Sequence, residues 1–375
     1  MTPKFQKKHL RRRTVLSLGI MAAGLAVGLA PLPGERRTLV VVAGTELRQS
    51  LEALKPRFEQ AQPGITLDLH FQGSSELARN YLDDKFSEFT PTILIPANQE
   101  ILEKLAQDWR VRENSEPFYG EPQPLAKTLM VGIAWPERGK VLFPQGRFDW
   151  NRLEQALRGR QWAAIGGQAN WGSFDFRMTD PLRSNSGQLT LTLWARHVLG
   201  EELTVSNLNS EAITRLFRLI HESVYRPPRS TDILLQEFIS QGANEGDVAV
   251  VYESIALSRW PQAQVSQPPG YRIYYLSPTV ETVSTAAIVK RNVSPSLART
   301  AQRFLDFVTA VEQQKILVQQ GFRPVINLDL ATVPASPWGQ GIPGVEVAPA
   351  VQPLPMPKVE ILTEIQKQWQ RAALG

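Results

Sequence analysis

Residues 37–58 read RTLVVVAGTELRQSLEALKPRF, and this stretch decides the fold class. Its continuous apolar run at residues 39–42 is typical of a strand that is buried on both faces of a parallel sheet. Gly44 and Thr45 then turn the chain, and apolar side chains recur at helical spacing from Leu47 onward. The stretch therefore predicts a strand, a tight turn and a helix in direct succession.

The same order of strand, turn and helix occurs twice more in the residues that follow. Residues 65–71 alternate between apolar and polar side chains, and residues 92–95 form a short, largely apolar run. Apolar residues at helical spacing come after each of them. Three such units in series predict an open α/β sheet and not a sandwich or a helix bundle. Pro56 interrupts the first helical pattern, so we expect a kink or an early end of that helix.

The middle of the chain carries a second set of patterns. Predicted strands cover residues 129–134, 162–165, 247–251, 271–276 and 285–289. Predicted helices cover residues 150–157, 213–220 and 295–319, the last with Val311 facing inward. Residues 188–196 alternate as a strand would, and periodicity alone leaves strand and helix both open there.

The C-terminal region differs in composition from the rest. Seven prolines fall between Pro334 and Pro357, which predicts an extended tail lying on the body of the protein. The last stretch is amphipathic, with Leu362, Ile365 and Trp369 on one helical face. Two interpretations remain open for it, a helix docked on the body or a helix that binds a partner.

The positive charge of the chain belongs to its first residues. The sequence has 41 basic and 36 acidic residues, a formal charge of +5, and six of the basic residues precede residue 14. Residues 14–34 carry no charge. A basic region followed by an apolar one is typical of an export signal, to which we assign residues 1–36. The sequence RRTVL at residues 12–16 resembles a twin-arginine signal; the general secretory route and an uncleaved membrane anchor are the alternatives.

The body that remains offers little support for nucleic-acid binding or catalysis. Without residues 1–30 it has 35 basic residues (41 minus 6) and 36 acidic ones, so no nucleic-acid partner is expected. The absence of cysteine excludes disulfides, thiolate metal sites and a lipidated cysteine. No metal-binding histidine spacing occurs, and we expect neither a metal nor a cofactor. Tyr252 and Glu253 could form an acid–base pair, but a glutamate is also favoured at a helix N-terminus. We therefore do not expect an enzyme.

Three turns share one chemistry. Residues 43–46, 73–75 and 184–187 place hydroxyls and backbone N–H groups where a strand gives way to a helix. Helix N-termini bind anions and polar groups, and ligands of open α/β sheets lie at the carboxyl ends of the strands. The alternative is simple N-capping, for which serine, threonine and asparagine are preferred.

Residues 179–187, TDPLRSNSG, resemble a segment of the bacterial extracellular solute-binding proteins. The group in question is related to the molybdate- and sulfate-type binders and has the type II periplasmic-binding-protein fold. Further matches occur in the same order, over about residues 40–325: the turns at 44–47 and 73–75, Trp171-Gly172, Tyr252-Glu253-Ser254 and GFRP at 321–324.

The resemblance implies two Rossmann-like α/β lobes joined by two crossing segments, with the ligand cleft between them and hinge closure over the ligand. It also favours a helix for residues 188–196. The expected bounds are residues 37–127 and 285–330 for lobe 1, 128–284 for lobe 2, 331–375 for the proline-rich tail and terminal helix, and 125–130 and 280–286 for the crossings.

The same resemblance implies the site and the function. The expected ligand-binding residues are Thr45, Ser74, Ser75, Arg183, Ser184, Asn185, Ser186, Tyr252 and Glu253. The protein would be an exported, periplasmic monomer that captures a small polar or anionic ligand for a membrane permease of the ABC type. The alternative is an exported ligand sensor or scaffold that acts through its C-terminal tail. Because Arg183 and Glu253 bring opposite charges to the site, an oxyanion cradle of neutral donors alone is not expected.

Overall fold

A computed structural model describes residues 36–374. The expected export signal, with its twin-arginine motif and the alternative of a membrane anchor, lies outside the described residues except for Arg36. Within residues 36–374, none of the helices combines the length and the apolar character that a membrane span requires.

The nine strands of the described residues form one mixed sheet. They are β1 (Arg37–Gly44), β2 (Ile65–Gln72), β3 (Ile93–Ile95), β4 (Gln123–Ala134), β5 (Phe176–Arg177), β6 (Val248–Tyr252), β7 (Arg272–Tyr275), β8 (Thr279–Ile288) and β9 (Pro353–Leu354). Their order is β2-β1-β3-β8-β4-β6-β5, with β7 paired to β4 and β9 paired to β8. Parallel pairing of β1 with β2 and β3 confirms the open α/β arrangement expected from the first three units.

Helices connect and cover these strands. They are α1 (Arg48–Ala61), α2 (Ser74–Leu82), α3 (Gln99–Glu113), α4 (Pro136–Leu142), α5 (Trp150–Gly159), α6 (Asn185–Leu199), α7 (Val205–Leu208), α8 (Glu211–Ser223), α9 (Thr231–Gln241), α10 (Glu253–Ser266), α11 (Pro295–Thr309), α12 (Val311–Gln319) and α13 (Val359–Ala372). Short 3-10 turns lie at Thr45–Leu47, Trp162–Ile165, Ala169–Trp171, Gly242–Asn244 and Pro337–Gly339.

Two long antiparallel strands join the halves of the sheet. The first part of β4 pairs with β8, from Gln123 opposite Ala286 to Leu129 opposite Glu281. The second part of β4 pairs with β6 and β7 instead. The crossing segments expected at residues 125–130 and 280–286 lie within β4 and β8.

The buried apolar side chains form two clusters, one for each lobe. The first contains residues of β1 to β3, α1 to α3, α11 and α12, together with the start of β4 and the end of β8. The second contains most of the buried apolar residues between Met130 and Val280, and it extends to the tail and α13. The protein is thus two-lobed, as the resemblance implied.

The structure differs from the sequence-based expectations in three details. Residues 162–165 form a 3-10 turn and not a strand, because the buried Trp162 anchors it through an indole N–H bond to Asp247 Oδ2 at 2.9 Å. The helix expected at 295–319 is two helices, since Ala310 has extended backbone angles, and Val311 is half exposed. Helix α1 does not end early at Pro56 but continues to Ala61, and the alternative expectation of a kink there stays a prediction.

The tail lies along lobe 2. Ile273 N donates to Pro343 O at 2.9 Å, and β9 adds to the beginning of β8. Helix α13 then packs on α7, α8 and α6, and also on α3 of lobe 1. Its apolar face, including Ile365 and Trp369, is buried. The structure therefore has the terminal helix docked on the body.

Candidate functional site

The turns singled out from the sequence meet where the two lobes face each other. On lobe 1, the turn after β1 leads into the 3-10 turn Thr45–Leu47, which contacts α9 of lobe 2. The turn after β2 leads into α2, whose first residue is Ser74. On lobe 2, α6 begins at Asn185 and α10 begins at Glu253, directly after Tyr252. The ends of strands and the beginnings of helices thus bring the three turns to one interface.

A buried hydrogen-bond relay crosses this interface. Asn98 of lobe 1 caps α3 through its side-chain oxygen, and its Nδ2 donates to Asn185 Oδ1 at 2.9 Å. Asn185 Nδ2 in turn donates to the Tyr252 hydroxyl at 2.9 Å. All three side chains are buried, so each would leave unpaired polar atoms if the lobes separated without water or a ligand replacing the partner.

The backbones of the two lobes also approach closely at Gly73. A Cβ atom at this position would lie 2.4 Å from Arg183 O and 2.9 Å from Arg229 O, both of lobe 2. The φ angle of Gly73 is −62°, which any residue can adopt, so the contact between lobes is what requires glycine here. Glu76 N adds a bond of 3.4 Å to Arg183 O.

Ser186 is the centre of a hydroxyl cluster. Its Oγ lies 2.8 Å from Thr179 Oγ1, 3.1 Å from Ser184 Oγ and 2.7 Å from Thr231 Oγ1. A hydroxyl donates one hydrogen bond and accepts two, so these neighbours fill the capacity of Ser186. Ser184 holds the N-cap position of α6 without a side-chain cap bond. Its hydroxyl therefore serves the cluster, and simple N-capping does not account for it.

A buried carboxyl group lies on the lobe 1 side. Glu46 is 6% exposed, its Oε1 atom has no hydrogen-bond partner among the described residues, and the carboxylate folds back over Gly44. Burial raises the pKa of Glu46 to about 7, against the opposing effect of hydrogen bonds from its own backbone and from Ser74, while Asp232 adds to the rise. Ser74 Oγ accepts from Ala97 N at 3.0 Å and so has its proton available for this carboxylate.

The two charged residues expected at the site are engaged elsewhere. Glu253 Oε2 accepts from Arg323 Nε at 2.7 Å, and its Oε1 accepts from Arg323 Nη2 at 2.8 Å and from the Tyr275 hydroxyl at 2.6 Å. The exposed Arg183 lies at the rim, where its Nη2 is 3.3 Å from Glu76 Oε1 of lobe 1. Ligand contact by these two residues stays a prediction.

Sequence reasoning missed four polar residues of this interface: Glu46, Asn98, Thr179 and Thr231. Asn98 follows β3 as Thr45 follows β1, so the rule that ligands lie at the carboxyl ends of strands could have found it. Glu46 and Thr179 stand within the quoted motifs but were not carried into the expected site. Nothing in the sequence around Thr231 indicates a site residue, because Thr231 joins the site through Ser186, which is 45 residues away in the sequence.

A cavity of about 350 Å³ adjoins the interface beneath the terminal helix. Ser75 and Gln188 line it from the two lobes, and Leu362 and Gln366 line it from α13. Gln188 Nε2 donates to Leu362 O at 2.7 Å, which fixes α13 over the beginning of α6. Among residues 36–374, no group of three or more histidine, aspartate or glutamate side chains is placed to hold a metal ion.

Solved structures of similar fold include several binding proteins. A periplasmic thiamin-binding protein has a TM-score of 0.64 and 16% identity, covering 92% of this chain and 99% of its own. The sulfate-binding protein SubI from Mycobacterium tuberculosis H37Rv has a TM-score of 0.56 and 18% identity, covering 87% and 96%. The ferric-binding protein from Campylobacter jejuni has a TM-score of 0.56 and 13% identity, covering 89% and 97%. At these identities the likeness shows the fold alone.

The sequence itself gives the family. A comparison with curated proteins finds no match. Residues 39–323, however, match the family described as bacterial extracellular solute-binding protein, which confirms the resemblance drawn from residues 179–187. Because this match covers most of the sequence, the chain belongs to the bacterial extracellular solute-binding protein family.

Proposed function

We propose that the protein captures a small polar ligand between its lobes, outside the cytoplasmic membrane, and presents it to an ABC-type permease. Membership of a binding-protein family means that the chain is not an enzyme. The observation that carries the proposal is the relay from Asn98 through Asn185 to Tyr252, because it joins the lobes through buried polar atoms that a ligand can also use. The proposal includes export by the leader, a monomeric state and the lobe bounds stated above; the division of most buried apolar side chains into two clusters supports these bounds.

The residues of the interface take different parts in this proposal. Thr45, Ser74, Ser75, Asn185 and Tyr252 contact the ligand from the two lobes. Ser184 and Ser186 hold the beginning of α6 in position through the hydroxyl cluster. Arg183 closes the rim with Glu76, and Glu253 secures lobe 2 to the segment after α12.

A thermal-shift screen on the chain from residue 37 tests the proposal. The panel contains sulfate, molybdate, ferric ion, thiamin, amino acids, sugars, spermidine and choline. We expect at least one compound to raise the melting temperature of the wild type and to lose this effect in Asn185→Ala. Ser240→Ala, which removes an exposed hydroxyl of α9, is the matched control and should keep the effect. A compound whose full effect survives both Asn185→Ala and Ser74→Ala would show that the site lies elsewhere.

Replacing Gly73 by alanine should weaken ligand binding without altering the local backbone. The added methyl group would overlap two carbonyl oxygens of lobe 2, and overpacking of this kind typically costs about 1–3 kcal/mol, or about 5- to 150-fold in affinity. Titration calorimetry with the compound found in the screen measures the change. Gly339→Ala is the control, because a Cβ there meets its nearest atom, Ala331 O, at an ordinary 3.7 Å. Equal affinities for Gly73→Ala and the wild type would show that closure does not use this contact.

A further inference from the structure

Glu46 is a buried acid that faces the other lobe without a cationic partner. It lies close enough to lobe 2 for the charge of Asp232 to raise the pKa of Glu46, and for its own charge to raise the pKa of Tyr252. Its Oε1 atom is buried and has no hydrogen-bond partner among the described residues. Hydrogen bonds from its own backbone and from Ser74 offset the cost of burying this carboxylate only in part, because burial still raises its pKa, so a positive charge at Oε1 would stabilise it further.

The other charges near Glu46 do not meet this need. Asp232 is itself an acid, and its Oδ1 is paired with Arg259 Nη2 at 2.6 Å and Nε at 3.1 Å. Tyr252 receives its hydrogen bond from Asn185, and burial together with the charge of Glu46 raises its pKa. Arg48, the first residue of α1, follows the 3-10 turn directly. Its guanidinium lies over the ring of Phe71, and its Nη1 is 3.6 Å from Glu52 Oε1. Each charged neighbour is therefore either of the same sign or engaged with another group.

A second unpartnered group lies on the opposite side of the interface. Ser230 precedes α9, is 1% exposed, and its Oγ has no hydrogen-bond partner among residues 36–374. It follows Arg229, whose carbonyl oxygen faces Gly73. The unpartnered hydroxyl of Ser230 on lobe 2 and the unpartnered Oε1 atom of Glu46 on lobe 1 thus lie on opposite sides of the interface, where a ligand between the lobes can pair with both.

We propose that Glu46 makes this cleft select an organic cation, whose positive group the carboxylate binds while hydroxyls and amides of both lobes bind its polar remainder. This inference rests on the proposed function and sharpens it, because the sequence alone left the ligand polar or anionic. Because Arg259 pairs with the neighbouring Asp232, the negative charge of Glu46 is left to pair with a single organic cation, and it repels sulfate or molybdate. The ion pair gains strength as the closing lobes exclude water.

The inference predicts a particular dependence on pH. A cation binds the ionised form of Glu46, and with a pKa near 7 that form is scarce at pH 6 and dominant at pH 8. Affinity should therefore rise about tenfold from pH 6 to pH 8 and level off above it. At pH 6, binding should release close to one proton, because the group must ionise.

Titration calorimetry of the chain from residue 37 tests this with choline, spermidine, arginine and thiamin as cations, and sulfate and molybdate as anions. We expect at least one cation to bind, and Glu46→Gln to lower its affinity tenfold or more at pH 8. The same variant should abolish the proton release at pH 6, which titrations in two buffers of different ionisation enthalpy measure. Glu137→Gln, which removes an exposed carboxylate of α4 paired with Lys140 and lies outside the interface residues named above, should change the affinity less than threefold.

The possible outcomes distinguish a failure of the cation selectivity from a failure of the solute-binding function. Binding of sulfate or molybdate alone would overturn the inference and leave the solute-binding function standing. Cation binding that Glu46→Gln leaves unchanged in affinity and proton release would also overturn it. If none of the six compounds binds, the inference fails; if the whole screening panel is also without effect, the proposed function fails with it.

Discussion

Replacing Glu253 by glutamine is expected to lower the free energy of unfolding by about 3–5 kcal/mol. The Glu253 side chain is fully buried, and Arg323 is bound to it through two parallel hydrogen bonds. Removing the negative charge leaves the guanidinium of Arg323 largely buried beside a neutral amide, and the desolvation of that cation is then uncompensated. The Tyr275 hydroxyl loses its charged acceptor in the same step.

Urea unfolding followed by circular dichroism measures this loss. Glu281→Gln serves as the matched control, because it removes a glutamate whose pair with Lys127 is exposed, and such pairs are worth about 0–1 kcal/mol. The double variant Glu253→Leu with Arg323→Met should recover much of the stability, since both buried charges are then absent. A Glu253→Gln protein as stable as the Glu281→Gln control would contradict the role assigned to this pair.

Truncation of Trp369 to alanine is expected to cost about 3–5 kcal/mol and to loosen the terminal helix. Trp369 is 5% exposed in the second apolar cluster, and its ring lies 5.0 Å from that of His221 on α8. The cavity left by the indole removes contacts from both α13 and α8. Increased amide hydrogen exchange should be confined first to α13, because helix ends held by few contacts open locally.

Leu374→Ala is the control, since Leu374 is 89% exposed and its loss should change stability by less than about 0.5 kcal/mol. The comparison also bears on the two interpretations of the terminal helix. A docked helix predicts that only Trp369→Ala destabilises the isolated protein. If both variants were as stable as the wild type, the helix would be free, and the alternative of a scaffold acting through the tail would gain support.

The fold could be predicted wherever the sequence forces one arrangement. The apolar run of β1 has no other place than the interior, and its turn and helix follow directly. Helix α6 could not be predicted from periodicity, because Leu189, Thr190 and Leu191 are all fully buried and no polar face is left to mark the period. Thr190 is tolerated inside the helix since its hydroxyl bonds back to Ser186 O at 2.7 Å. The family resemblance, and not the pattern, supplied that helix.

The site could be predicted in place but not in detail. Strand ends and helix beginnings carry their own signals, so Ser74 and Asn185 could be assigned to one interface before the structure. Which hydroxyls bond to each other, and which acids are paired, depends on contacts between lobes that are distant in sequence. Glu46 and Glu253 illustrate this, because each lies between the end of a strand and the first turn of a helix. Glu253 nevertheless has a buried arginine partner, whereas Glu46 has none.

Under the proposed function, the two lobes close over a ligand at the contact of Gly73 with the carbonyl oxygens of Arg183 and Arg229. The chain has no cysteine, so Val111→Cys on lobe 1 and Val265→Cys on lobe 2, both exposed positions, allow two specific spin labels. Pulsed electron paramagnetic resonance then measures the distance between the labels with and without the compound found in the screen. We predict that the ligand narrows the distribution of label-to-label distances to a single peak, at the separation that positions 111 and 265 have in the closed structure. The same ligand should not narrow the distribution when Gly73→Ala is added. Identical distance distributions with and without saturating ligand would show that the lobes do not close over the ligand.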